Sequence, residues 1–462
     1  MLRELREKFI GDRDFYRRYI YLAVPMIIQN AITNFVSFLD NIMVGQLGEE
    51  AISAVATVNQ LVFIFYLSVF GVAAAGGIYG AQFYGKKDHT GHMYSFRFKL
   101  YAVIIVAIIG ISLFLNFGEN FISLFLTETD GNISKALATD YGLKYLNIIL
   151  IGLLPFAINQ AYSTTIKETG KTVIPMLSGM AAVATNAILD YCLIFGPGPL
   201  PELGVEGAAI ATVVSRYIEL AIVIIWAHSH KNENKYLKNA FAKFGLPRNI
   251  VIKILQSGTP LMINEVLWAA GVSAVTQSYS VRGMNVLTSI SISNTVSNLF
   301  NIVFIQLGAC IGIIVGQYLG AGKLKEAKDA DNKMIVFSVG CCMVMAAVMM
   351  LCGRLFPMLY NVNEDIRALA TKFIMIQALW MPFCSFSHCS YFTLRSGGKT
   401  FVTFLFDSVF TWVVMASFAY ILTHYSGLNI VLIYFLVQGT EIIKCTIGFF
   451  MVKSNVWLVQ IV

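Results

Sequence analysis

Residues 59–87 read NQLVFIFYLSVFGVAAAGGIYGAQFYGKK, a stretch that runs from Leu61 to Ala81 without a charge and stops on Lys86 and Lys87. A helix crossing the roughly 30 Å hydrocarbon core of a bilayer needs about 20 such residues, and lysines at one end mark the cytoplasmic side. The stretch lacks the period-two alternation of a membrane barrel strand, so it reads as a spanning helix. Residues 294–323, NTVSNLFNIVFIQLGACIGIIVGQYLGAGK, repeat it at an offset of 235. Asn59 falls on Asn294, Gln82 on Gln317, Gly85 on Gly320 and, further back, Pro25 on Pro260. The chain is therefore expected to be a doubled bundle of membrane helices.

Composition extends that reading to the whole chain. Of 462 residues, 57% are hydrophobic and only 13% are charged, against about 25% charged in an ordinary soluble protein. So few charges cannot cover several soluble domains, and 34 Phe with 21 Tyr exclude disorder. Twelve spans are expected, near 17–44, 51–83, 94–116, 137–166, 173–195, 206–228, 251–280, 286–318, 333–355, 366–394, 401–423 and 429–452. The fold class is thus all-α integral membrane protein, with two six-helix lobes related by a pseudo-two-fold axis along the membrane normal. The expected parts are a cytoplasmic arm (1–16), an N-lobe (17–230), a cytoplasmic linker (231–250) and a C-lobe (251–462). Lysines and arginines alternate between sides: Lys135, Lys144, Arg282, Arg354, Arg367 and Lys372 lie on the outer side, Arg216 lies inside a span, and the rest lie on the inner side. That asymmetry puts both termini in the cytoplasm, in a multi-pass protein of the plasma membrane, most simply a bacterial inner membrane. It also accounts for the net charge of +7 without a nucleic-acid partner. The eight cysteines form no CxxC pair and read as small buried hydrophobes, with neither a disulfide framework nor a metal site.

Two opposed six-helix repeats are a common architecture of secondary transporters, with substrate bound between them. Lys167-Glu-Thr-Gly-Lys-Thr172 and Arg395-Ser-Gly-Gly-Lys-Thr400 echo the tail of a phosphate loop, but Thr165 and Thr393 stand where its first glycine would be. No nucleotide site and no cofactor are expected, and an ion gradient is left as the energy source. Coupling to a cation needs acids inside the membrane, where they are costly and usually functional. Six lie within spans: Asp40, Asp190, Glu219, Glu265, Asp407 and Glu441. Asp40 and Asp190 sit at matching depth near the outer ends of helices 1 and 5. Asn186 lies one turn before Asp190 on the same face, and Thr212 enters helix 6 at the same level. These four oxygen-bearing side chains suit a proton or a sodium ion, since hard cations take oxygen ligands. Glu219 follows Arg216 by three residues and Glu441 precedes Lys444 by three, so both read as internal ion pairs. Asp407 reads as a cap for the start of helix 11. Glu265 has no basic residue within a turn, which gives the second lobe a polar centre of its own.

The segment FLDNIMVGQLGEEAISAVATVNQL (38–61) resembles the helix 1–2 signature of the multidrug and toxic compound extrusion (MATE) family, and Pro25, the two GKT hairpins and the six-plus-six layout resemble it too. The resemblance implies export of organic cations and other amphiphiles in exchange for protons or sodium. In the DinF-like branch it implies a first-lobe cation site at Asp40, Asn186, Asp190 and Thr212. In NorM-like members it implies a Glu in helix 7, matching Glu265, together with an acid in helix 10. Helix 10 here has none; LWMPFCSFSHCSYF (379–392) offers His388, Ser385 and Ser387 instead.

The expected activity is therefore ion-coupled efflux by alternating access, not catalysis. Its partners are small amphiphilic or cationic substrates and membrane lipid, in a chain expected to be monomeric. Cation entry at Asp40 and Asp190 would bend helix 1 at Pro25, where one intrahelical hydrogen bond is already missing. Phe35, Phe38, Tyr66, Phe156 and Trp268 are candidates for stacking on a cationic substrate. A lipid-linked oligosaccharide or lipid flippase is the alternative of the same architecture, and an integral-membrane enzyme the alternative of another class.

Overall fold

A computed structural model describes residues 9–125, 135–196, 201–242, 245–360 and 362–462, without the side chains of 36–39, 41, 42, 49 and 125. Among the described residues twelve long helices follow one another: α1 (Arg13–Gly45), α2 (Glu49–Gly85), α3 (His89–Phe125), α4 (Lys135–Glu168), α5 (Val173–Phe195), α6 (Gly204–Ser229), α7 (Arg248–Tyr279), α8 (Met284–Gly320), α9 (Leu324–Cys352), α10 (Glu364–Ser396), α11 (Thr400–Tyr425) and α12 (Ile430–Lys453). Each expected span falls on one of them, in order, and no strand occurs among the described residues. The chief difference is length. Helices α2, α3 and α8 have 37 residues each, about 55 Å at ~1.5 Å per residue. The difference is greatest in α3, which stays helical from His89 to Phe125, beyond both ends of its apolar middle.

Prolines 25, 155, 260 and 382 sit inside α1, α4, α7 and α10, the corresponding helices of the two halves. Helix α11 departs from α geometry at Leu405–Val409 and Thr411–Ala416, which are π-helical. Wide turns of this kind recur at functional sites, and no residue pattern in the span announces them. All eight cysteines are free.

The chain divides into two compact units: residues 28–80 with 89–254, and residues 1–27 with 81–88 and 255–462. The division cuts α1 between Ile27 and Ile28, just past Pro25. In the unit containing the C-terminal half, Tyr19, Leu22, Ala23 and Met26 share a core with Leu307, Ile311 and Ile314. Tyr19 is fully buried and its hydroxyl donates to the Leu307 carbonyl at 2.9 Å. Arg18 donates to Gln317 Oε1 at 3.0 Å. In the same unit the ends of α2 and α8 touch backbone to backbone. A methyl added at Gly85 would fall on the Gln317 carbonyl, and one added at Gly320 on the Gln82 carbonyl. The two contacts are images of each other under the 235-residue offset, so these glycines are there for close approach.

In the other unit the core runs through α2 to α6. Long polar side chains of α3 are buried in it. Lys99, with no exposed surface, pairs with Glu168 at 2.7 Å. Arg97 donates to the carbonyls of Ala240 (2.6 Å) and Asn239 (2.5 Å). These bonds hold the segment between α6 and α7, where Tyr236 and Leu237 are buried. Lys171 of the first GKT hairpin meets Glu233 at 2.5 Å and lies 5.2 Å over the Trp226 ring. The ammonium holds the Glu233 carboxyl below its ordinary range. The hairpin lysine is thus a tether for that segment.

Candidate functional site

The N-terminal acids come together as their depth implies. Asp190 and Asn186 are buried on one face of α5. Asp40 of α1 faces Asp190 within hydrogen-bonding reach. Apart from that mutual approach, Asp40 Oδ1, both oxygens of Asp190 and Asn186 Nδ2 are buried without a hydrogen-bond partner. Buried polar atoms are nearly always satisfied, and two carboxylates side by side repel unless a cation or a shared proton lies between them. Oxygen donors of this kind fit a proton or a sodium ion. Thr212, half-buried on α6, stands one turn before Arg216. Among the described residues no group of three His, Cys, Asp or Glu side chains suits a metal ion.

Arg216 also neighbours this pair, beyond the ion pair with Glu219 that its spacing implies. Its ion pair with Glu219 is present at 3.3 Å. Its guanidinium also acts electrostatically on Asp40 and lies 5.2 Å over Phe156 and 6.0 Å over Tyr66. Tyr66 and Phe156 pack ring on ring at 4.2 Å, so two of the proposed substrate aromatics already hold a cation of the protein itself. Tyr145 completes the surroundings, near Asp40, Asp190 and Tyr66, with its hydroxyl 3.4 Å from Asn59 Oδ1. The available signal was the spacing: Thr212, Arg216 and Glu219 recur on one helical face. Phe35 is 59% exposed and Trp268 of α7 lies in the other unit. The Phe38 side chain lies outside those described.

The second polar centre is larger than Glu265 and His388. Glu265 faces Tyr391, Arg395 and Asp407, whereas His388 packs among Phe304, Tyr391 and Phe392 with ring centroids 5.4–6.3 Å apart. The expected pairing of Glu441 with Lys444 is corrected. Lys444 donates to Asp407 Oδ1 at 2.8 Å, and Glu441 accepts from Ser387 at 3.0 Å. Both residues lie in the continuous segment Glu441–Lys453, yet their side chains bond to different neighbours on other helices. Asp407 also does not cap α11, since it lies two turns inside it.

The model of the MatE family matches residues 25–192 and again 260–421, two matches that start 235 residues apart, the offset of the internal repeat. The probable multidrug resistance protein YoeA of Bacillus subtilis is 22% identical, over 90% of this chain and 88% of its own length. The probable multidrug resistance protein NorM of Deinococcus radiodurans is 25% identical over 89% of each chain. A crystal structure of MATE in complex with MaL6 superposes with a TM-score of 0.86 over 97% of both chains, at 17% identity. The doubled helical bundle, the buried acids and the twofold family match together make this chain a member of the multidrug and toxic compound extrusion (MATE) family.

Proposed function

We propose that the chain is a secondary active efflux transporter that exchanges organic cations or other amphiphiles for protons or sodium. The observation that carries this reading is the buried pair Asp40 and Asp190, facing each other with three carboxylate oxygens unpartnered. Loaded with the driving ion, the pair loses the negative charge that attracts a cationic drug. Without that ion it regains the charge and attracts the drug again. Arg216 sets the balance, because its charge opposes any cation that enters beside Asp40. Pro25 supplies a place for α1 to bend, since the helix there lacks one backbone hydrogen bond. The change of unit at Ile27–Ile28 supports a hinge at that level. In this reading the two halves of the sequence act as lobes, both termini face the cytoplasm, and Asn186 and Thr212 complete the cation shell.

Inverted vesicles loaded with ethidium, under a proton gradient and a sodium gradient imposed separately, test the proposal. One gradient should drive ethidium movement, and Asp40→Asn should abolish it while the protein still reaches the membrane. Transport retained by Asp40→Asn would defeat the assignment of the site. Indifference to both gradients would defeat the antiport reading.

A further inference from the structure

The polar centre of the C-terminal half carries its own cation. Asp407 lies in the π-helical turn Leu405–Val409 of α11, and both its oxygens are engaged. Oδ1 accepts from Lys444 Nζ at 2.8 Å and Oδ2 from Asn264 Nδ2 at 3.1 Å. Asn264 is 1% exposed and is locked in turn. Its Oδ1 accepts from the Ser408 hydroxyl at 2.7 Å and the Ser408 backbone N–H at 3.3 Å, while its Nδ2 also reaches the Tyr391 hydroxyl at 3.3 Å. Lys444 lies over the rings of Phe406 and Phe410 at 5.5 and 5.9 Å, so its ammonium sits where a mobile cation on Asp407 would sit. The charged groups facing it are Asp407 and Glu441, and Arg395 faces Glu265 beside them. The contrast with the other half is direct: there the facing carboxylates keep unpartnered oxygens, and here each carboxylate oxygen is held by a side chain.

We propose that Lys444 is a tethered counter-ion that permanently fills the cation place of Asp407, so that this carboxylate takes up neither sodium nor protons during transport. The proposal deepens the efflux reading and rests on it, because it assigns ion coupling to the Asp40–Asp190 half. Removing the ammonium leaves Asp407 Oδ1 without its cation, in a place that sodium or a proton can then take.

The full-length purified chain in detergent tests it through the number of cations bound, measured with sodium-22 and, separately, by proton uptake in a pH titration. Lys444→Met should bind one more cation per chain than the wild type, as sodium or as a proton. Lys444→Met combined with Asp407→Asn should return to the wild-type number. An unchanged number in a monodisperse Lys444→Met protein would overturn the proposal. Should that variant fail to fold, the wild type itself decides: dicyclohexylcarbodiimide, which adds to protonated membrane carboxyls, should leave Asp407 unlabelled in peptide mass spectra. Labelling of Asp407 that sodium or raised pH suppresses would overturn the proposal. Failure of the efflux reading has a different signature, namely a wild-type cation number unaffected by Asp40→Asn.

Discussion

At the scale of single residues, buried charge decides most of what is distinctive here. Lys99 has no exposed surface, and its ammonium lies 2.7 Å from the Glu168 carboxylate. Breaking a buried pair by removing one partner leaves an uncompensated charge and costs about 3–5 kcal/mol. Lys99→Met should therefore lower thermal stability in detergent markedly, and Lys99→Met with Glu168→Gln should recover most of the loss. A double variant no more stable than the single would contradict the pairing. Arg216 has a different role, since it stands between the aromatic pair and Asp40. Arg216→Gln should move half-saturation by the driving ion about tenfold lower, roughly 1.4 kcal/mol, and Arg216→Lys should stay near the wild type. Of these residues, Asp40, Asn186 and Asp190 were legible in the sequence, because an acid inside an apolar span stands out and depth can be counted along a helix. The wider role of Arg216 and the true partner of Lys444 were not, because both depend on which neighbouring helix a side chain meets. A partner three residues away is an inviting guess, and for Lys444 a better one lies on another helix at 2.8 Å.

At the scale of elements, helices are legible in the sequence and their irregularities are not. Twelve apolar runs became twelve helices, since a span in lipid must satisfy its backbone internally. The π-helical turns of α11 left no trace in composition; they widen the helix where Ser408 reaches Asn264 on α7. The glycines divide by what faces them. Gly85 and Gly320 press on the backbone of the opposite helix, whereas nothing lies within 4 Å of a Cβ at Gly340. Gly85→Val and Gly320→Val should each force α2 and α8 apart and cost about 1–3 kcal/mol, as overpacking does. A fall of several degrees in melting temperature by size-exclusion thermostability would register it. Gly340→Val on α9 should leave the temperature unchanged, and equal behaviour of the three would refute the close-approach account.

At the scale of the whole molecule, gene duplication is visible both in residues and in contacts. Gln82 with Gly85 and Gln317 with Gly320 correspond in sequence and meet each other in space. Between them a Cβ at Gly316 would stand 3.0 Å from that of Ala81, its own counterpart under the offset. Cysteines at both positions start slightly closer than the Cβ separation of about 3.5–4.5 Å that a disulfide needs, so a small outward shift brings them into bonding range. Ala81→Cys/Gly316→Cys should lose ethidium transport on mild oxidation and regain it with dithiothreitol, if α2 and α8 must part during the cycle. Full transport by the cross-linked protein would rule that movement out, and the single cysteine variants control for the native thiols. The sequence by itself determined the class of the molecule, the number of its helices, the duplication and the depth of its acids. Those follow from the cost of polar groups in hydrocarbon and from counting along a rigid helix. Only the tertiary structure decided which charges meet: Asp40 with Asp190, Lys444 with Asp407, Lys99 with Glu168. Partners on different helices are chosen by packing and rotation about helix axes, and no spacing along one chain encodes either.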